Sequence, residues 1–270
     1  MERIKQALER ARAERESHQL HPRMQRSATG KRRPAGQVAE HTGPIDYTQT
    51  KKVDITQDHL NNQRIIAHQE EDEFADAYKM LRTQVLQRLV DHDWNVLAVT
   101  SPGKKDGKTT TAVNLASSLS LEVGYTVLLV DANLRHPGVH TQFGLSASEG
   151  LSDYLLDNAP LSDLLLHPKG IDDLTILPAG KVIRNSSEML NSPRMGTLVQ
   201  ELKSRYPQRI IIFDLPPVLE GADALAFTPQ VDATLLVTAD NETKKADIER
   251  SLELLSSTNV IGTILNKVNS

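Results

Sequence analysis

From about residue 96 the chain alternates two apolar patterns. Short, nearly unbroken apolar runs at Val96–Thr100, Thr126–Val130, Leu174–Leu177, Arg209–Asp214, Ala233–Thr238 and Val260–Val268 predict strands. Between them, Thr109–Leu121, Leu151–Asp157, Glu188–Tyr206 and Lys244–Ser256 predict helices, and Pro193 divides the third into two. Near-continuous apolar strands separated by amphipathic helices imply a parallel sheet covered on both faces, an α/β doubly wound fold. A further helix over Glu70–Asp91 carries a stripe of Phe74, Tyr78, Leu81, Val85 and Leu89. Acids Glu70, Glu71, Asp72 and Glu73 crowd its first turn, where the helix dipole favours them.

The pattern fades upstream. Glu2–Glu16 has helical spacing in Ile4, Ala7, Leu8 and Ala11, a thin stripe that needs a partner surface. From Ser17 to about Thr50 no periodicity survives, and the composition is that of a linker. We therefore divide the chain into an N-terminal extension, residues 1–69, and an α/β domain, residues 70–270. Ten basic against four acidic side chains give residues 1–35 a charge of +6. The run Lys31-Arg32-Arg33 within it is either a contact for anionic headgroups or an acidic partner, or a solvated charge run.

Composition narrows the classes. Hydrophobic residues make up 39% and aromatics 4%, low enough to imply that part of the chain is unpacked. The net charge of −4 gives no reason to expect nucleic acid, and the absence of cysteine excludes disulfides and thiolate metal sites. No apolar run approaches the ~20 residues of a bilayer span, and Met1–Glu16 is too charged for a secretory signal. The expected location is cytoplasmic.

The chemistry is concentrated where the first strand meets the next helix. Gly103-Lys104-Lys105-Asp106-Gly107-Lys108-Thr109-Thr110 joins them. Glycines there let backbone N–H groups curl around phosphate oxygens, and the helix adds its unsatisfied N–H groups and dipole. Lys108 would reach the β- and γ-phosphates of ATP, and the Thr109 hydroxyl would ligate Mg²⁺. The usual spacing of such a loop places its first glycine at position 102, where this chain has Pro102. Two more runs, Val127–Val130 and Ile210–Phe213, end in Asp131 and Asp214. Parallel sheets bind ligands beyond the carboxyl ends of their strands, so both carboxylates lie on the side of the loop. Each alone could be a helix cap; together they suit a Mg²⁺ shell and phosphoryl transfer.

These residues resemble the bacterial tyrosine kinases of capsule and exopolysaccharide synthesis (CpsD/CapB type), relatives of the MinD/ParA P-loop ATPases. The likeness covers roughly residues 70–270. The loop running into Asn114-Leu115-Ala116 carries it, with Asp131-Ala132-Asn133-Leu134-Arg135-His136-Pro137 as a second Walker motif. Ile212-Phe213-Asp214-Leu215-Pro216-Pro217 is similar to the family's Walker B, and Leu177-Pro178-Ala179-Gly180, Asn185 and Glu188-Met189-Leu190 follow its pattern. Gly262-Thr263-Ile264-Leu265-Asn266-Lys267 resembles the strand whose Asn approaches the adenine. The lysine that partition ATPases carry early in the loop is replaced by Gly103, which favours the kinase branch. Asp76, Lys79 and Arg82 resemble the family's ring-assembly element; they equally form an i,i+3 charge ladder.

The resemblance implies a protein-tyrosine kinase using ATP and Mg²⁺, with Lys108, Asp131 and Asp214 catalytic. Thr109, Asp131 and Asp214 would serve the metal, and Gly103 to Thr110 with Asn266 the nucleotide. It also implies a homo-oligomer and a membrane polysaccharide co-polymerase or chain-length regulator that recruits the chain to the inner face of the membrane. Two departures temper this. Asn133 stands where the second Walker motif has a second acid, and no tyrosine follows Tyr206 where the family has a tyrosine cluster. The alternatives are a kinase-inactive, ATP-driven assembly switch and a positioning ATPase of the MinD/ParA kind.

Overall fold

The computed structural model describes residues 50–66, 73–206 and 208–268. The expected helix over Glu2–Glu16, the linker after it, and residues 70–72 lie outside them.

The six predicted strands assemble into one sheet together with two short ones the apolar pattern does not predict, so the sheet has eight strands. In chain order they are β1 (Lys51–Val53), β2 (Val96–Thr100), β3 (Thr126–Asp131), β4 (Leu166–Pro168), β5 (Leu174–Leu177), β6 (Arg209–Asp214), β7 (Ala233–Ala239) and β8 (Val260–Asn266). Their spatial order is β1-β4-β5-β3-β6-β2-β7-β8, parallel except for the β4–β5 pair. The period of two explains the unbroken apolar runs. In β2, Leu97 and Val99 enter one core and Val96 and Ala98 the other. Ile210 and Ile212 likewise oppose Ile211 and Phe213 in β6, so each strand feeds two buried layers.

The helices are α1 (Gln57–Asn62), α2 (Glu73–Asp91), α3 (Lys108–Leu119), α4 (Val139–Gln142), α5 (Leu151–Asp157), α6 (Leu161–Leu164), α7 (Ser186–Leu190), α8 (Pro193–Arg205), α9 (Asp223–Phe227) and α10 (Lys245–Leu254). Pro193 does divide the predicted 188–206 helix: it occupies the first turn of α8, and Ser192 caps that helix by accepting from Met195 N–H. In α2 Val85 and Leu89 of the predicted stripe are buried, Tyr78 and Leu81 are half-buried and Phe74 is 63% exposed, and Ala75, outside the predicted stripe, is buried as well.

The largest difference from the sequence reading is at the N-terminal boundary. The division at residue 70 leaves out β1, which pairs with β4, and Leu60 and Ile65, which are buried in the core. Burying each of these two side chains is worth about 1.5–3 kcal/mol. The Asn114 side chain of α3 fastens the same segment, accepting from Ile66 N–H and donating to the Arg64 carbonyl. Residues 51–66 therefore pack as part of the domain.

Candidate nucleotide and metal site

The strand order leaves β2 flanked by β6 and β7, so the loop after β2 opens between the ends of its two neighbours. Its first residues are stitched to the exit of β6: Thr100 Oγ1 donates to the Pro216 carbonyl, and Val218 N–H to Ser101 O. Leu215 N–H is spent on Val99 O.

The loop then turns through two left-handed residues, Lys105 (φ 68°) and Gly107 (φ 96°). Glycine suits 107 because side chains rarely adopt that φ, and a Cβ there would also displace the Asn266 amide, 1.9 Å away. Gly107 is also the N-cap of α3 and supplies no side-chain acceptor. The first-turn N–H groups of Lys108, Thr109 and Thr110 thus have neither a carbonyl in the helix nor a cap, which is what an anion site at a helix N-terminus requires. No acid lies in that turn.

Asp131 and Asp214 are register partners on β3 and β6 and are both fully buried. Thr109 Oγ1 donates to Asp214 Oδ2 at 2.7 Å, whereas Asp214 Oδ1 is buried with no partner. Both oxygens of Asp131, by comparison, have partners. Its Oδ2 accepts from Gly138 N–H (2.9 Å) and Val139 N–H (3.0 Å), and its Oδ1 from Asn133 N–H (3.1 Å). Burial pushes Asp131 from 3.8 up to about 6, against the pull of those three donors and of the Lys108 ammonium. Burial likewise pushes Asp214 up to about 7; Lys108 and the Thr109 bond oppose the rise and Asp131 adds to it. The segment gripped by Asp131 lies beside the loop, since a Cβ on Gly138 would sit 3.5 Å from Thr109 Cγ2.

The residues present fit a magnesium–polyphosphate group. A hydroxyl, an orphaned carboxylate oxygen and an uncapped helix start converge at one sheet edge, and Mg²⁺ characteristically takes one or two protein oxygens and completes its shell with phosphate and water. Among the described residues no three His, Cys, Asp or Glu side chains are grouped to hold a metal by themselves, so phosphate oxygens would have to share the ion.

Other predicted site residues fall into place unevenly. Lys104 is drawn into an ion pair with Glu220 (2.7 Å), and Lys105 is exposed. Asn266, at the end of β8, donates its amide to the Asp106 carbonyl at 3.0 Å, against the loop rather than apart from it. Asn133 is buried, and its side-chain oxygen accepts from His136 N–H, shaping the turn after Asp131. Arg135 leaves that turn to meet Ser186 and the buried Asp223, a tie the sequence reading did not contain. Of the three α2 residues, Asp76 and Lys79 form an exposed pair, while Arg82 turns inward to the Ser118 carbonyl and Glu122.

Known proteins are similar to this chain in sequence and fold. The AAA domain family matches residues 98–263. The tyrosine-protein kinase YwqD of Bacillus subtilis is 32% identical over 194 residues, covering 71% of this chain and 80% of that one. The chain belongs to the bacterial tyrosine-protein kinases. Among solved structures, the kinase domain of the Escherichia coli tyrosine kinase ETK is similar at a TM-score of 0.70 and 29% identity, covering 76% of this chain and 80% of that one. The septum site-determining protein MinD of Pyrococcus horikoshii, solved with Mg-ADP, shares the fold at a TM-score of 0.52 and 24% identity, over 63% of this chain and 69% of that one. This member of the kinase family is thus a kinase-like P-loop ATPase, and the expected doubly wound P-loop fold is observed. No helix among its described residues is long and apolar enough to cross a membrane.

Proposed function

We propose that the protein transfers the γ-phosphoryl group of Mg-ATP to tyrosine hydroxyls and thereby regulates the synthesis and export of a capsular or extracellular polysaccharide. The observation that carries this reading is the Thr109–Asp214 bond at 2.7 Å with Asp214 Oδ1 left unpaired beside it. Thr109 and Asp214 would hold the metal, with Asp131 behind them. The bound ion would neutralise charge on the phosphates.

The chain's own groups do the rest. The N–H groups at the start of α3 and the Lys108 ammonium bind and orient the β- and γ-phosphates. Asp131 has about one of its four lone-pair sites unspent, and that site orients the acceptor hydroxyl and takes its proton. Gly103 to Thr110 and Asn266 enclose the nucleotide. The Asp76, Lys79 and Arg82 face would serve a homo-oligomer, and recruitment to the membrane would run through a polysaccharide co-polymerase partner.

A second reading, a nucleotide-driven assembly switch without kinase activity, is favoured by Asn133. A buried amide whose oxygen is committed to His136 N–H offers neither charge nor proton acceptor. Intact mass after incubation with Mg-ATP separates the two. Phosphotyrosine on the chain or on a partner's cytoplasmic tail, absent in Lys108→Ala, supports the kinase. Nucleotide-dependent association with unchanged mass establishes the switch instead.

A further inference from the structure

The Asp106 carboxylate stands within a loop whose chemistry suits anions, yet both of its oxygens are bonded within the chain. It is only 5% exposed. Its Oδ2 accepts from Gly103 N–H at 2.8 Å, closing the loop on itself. Its Oδ1 accepts from Thr243 Oγ1 at 3.0 Å, and Thr243 in turn accepts from Ala239 N–H at the end of β7 at 2.8 Å. The Asp106 carbonyl takes the Asn266 amide from β8. One residue thus ties the phosphate loop to itself and to the ends of β7 and β8. Bonds from a carboxylate to N–H and O–H donors are about twice as strong as neutral ones. They close on either side of Lys105, which has the left-handed conformation that a non-glycine residue does not adopt readily.

We propose that Asp106 is a positioning residue: its carboxylate sets the phosphate loop in its receiving shape before ligand arrives and braces it against the β7–α10 connection through Thr243. The proposal rests on the nucleotide-binding reading above. It differs in sign from simple electrostatics. Removing a carboxylate beside a phosphate site relieves repulsion and by itself tightens anion binding. Removing a brace weakens it.

The test measures binding of two probes to the full chain by calorimetry in Mg²⁺: ATP, and inorganic tripolyphosphate, which has no base. Asp106→Ala weakens both about 10-fold, and Thr243→Val weakens both about 3-fold, tenfold corresponding to about 1.4 kcal/mol. The double variant is no weaker than Asp106→Ala, because the Thr243 tie acts through the same carboxylate. Asp106→Asn restores most of the affinity, since its amide accepts from Gly103 N–H and donates to Thr243. Unchanged or tighter tripolyphosphate binding in Asp106→Ala overturns the proposal, as does a loss confined to ATP. If Asp106→Ala does not fold, Thr243→Val decides: tripolyphosphate affinity equal to wild type overturns the proposal. Wild-type protein that binds neither probe overturns the nucleotide reading itself, whereas wild-type binding with unaffected variants overturns the brace alone.

Discussion

β3 and β6 end alike, four apolar residues and an aspartate, paired in register, yet the two carboxylates have different surroundings. Asp131 is followed by a seven-residue excursion to Gly138 that doubles back, so three backbone N–H groups converge on it. Asp214 is followed by Leu215-Pro216-Pro217. The two prolines have no N–H to give, and Leu215 gives its own to Val99. Deprived of local donors, Asp214 is left to Thr109 and to whatever approaches its free oxygen. Two matching sequence patterns thus yield one carboxylate that anchors its own loop and one with an unpaired oxygen, and the residues after the aspartate decide which.

That contrast can be broken experimentally, and the largest effect belongs to the open carboxylate. Asp214→Asn lowers Mg-dependent phosphoryl transfer on the order of 10²–10³-fold, the cost typical of removing one preorganised charge-stabilising group. It leaves unfolding of the ligand-free chain undiminished, because the only bond it disturbs is the one to Thr109. Rates comparable to wild type would remove Asp214 from the site.

The anchor should behave in the opposite way. Asp131→Ala strands three N–H donors, each costing about 1–3 kcal/mol when left unmet, so denaturant unfolding should report a loss of about 3 kcal/mol or more. If Asp214→Ala destabilises the ligand-free chain just as much, the distinction between the anchor and the open carboxylate collapses.

A third effect concerns pH. Both carboxyls have folded-state values above the ordinary 3.8, Asp131 at about 6 and Asp214 at about 7. The native chain therefore binds more protons than the unfolded one between about pH 4 and 7, and its stability falls as pH rises through that window. Every tenfold gain in a carboxyl's proton affinity on folding corresponds to about 1.4 kcal/mol. Melting temperature without nucleotide should decline from pH 5 to pH 8, and Asp214→Asn should flatten the decline. A melting temperature that rises over this range in the wild type, and in Asp214→Asn alike, contradicts the assignment.

The smallest effect is at the turn beyond the anchor. Asn133→Asp keeps an oxygen for His136 N–H while adding a third carboxylate near Asp131. It should raise apparent Mg²⁺ affinity a few-fold, read from the metal dependence of ATP binding, at a slight cost in stability. No change in metal dependence would place residue 133 outside the metal's reach.

The sequence made the central part of this architecture legible because its signals are local. The apolar runs of β2, β3, β6 and β7 each mark a strand buried on both faces, and the loop after β2 has a distinctive glycine–lysine spacing. The edges were not legible. Lys51–Val53 and Leu166–Pro168 are three-residue strands without alternation, one largely exposed and the other ending in proline. Helix α1 buries a single leucine, too little periodicity to register. The long-range ties are invisible for a different reason. Asp106 meets Thr243 across 137 positions, and Arg82 reaches Ser118 across 36, separations no local pattern encodes. Asp106 as part of the ATP-binding loop and Arg82 as part of a contact between copies are expected from position in a motif alone, a signal that carries no word of the bonds Asp106 makes to Gly103 and Thr243 or Arg82 to Ser118 and Glu122.

Those separations also impose an order in time. Thr109 meets Asp214 across 105 positions, and Asp106 meets Asn266 across 160. At about 5–20 residues per second, roughly 8–30 s of synthesis lie between Asp106 and the strand that holds its carbonyl. Pairing over such distances also carries the loop-closure cost that slows folding. A nascent chain therefore displays the phosphate-loop sequence well before the partners that fix its shape exist, and the site is finished only when β8 docks.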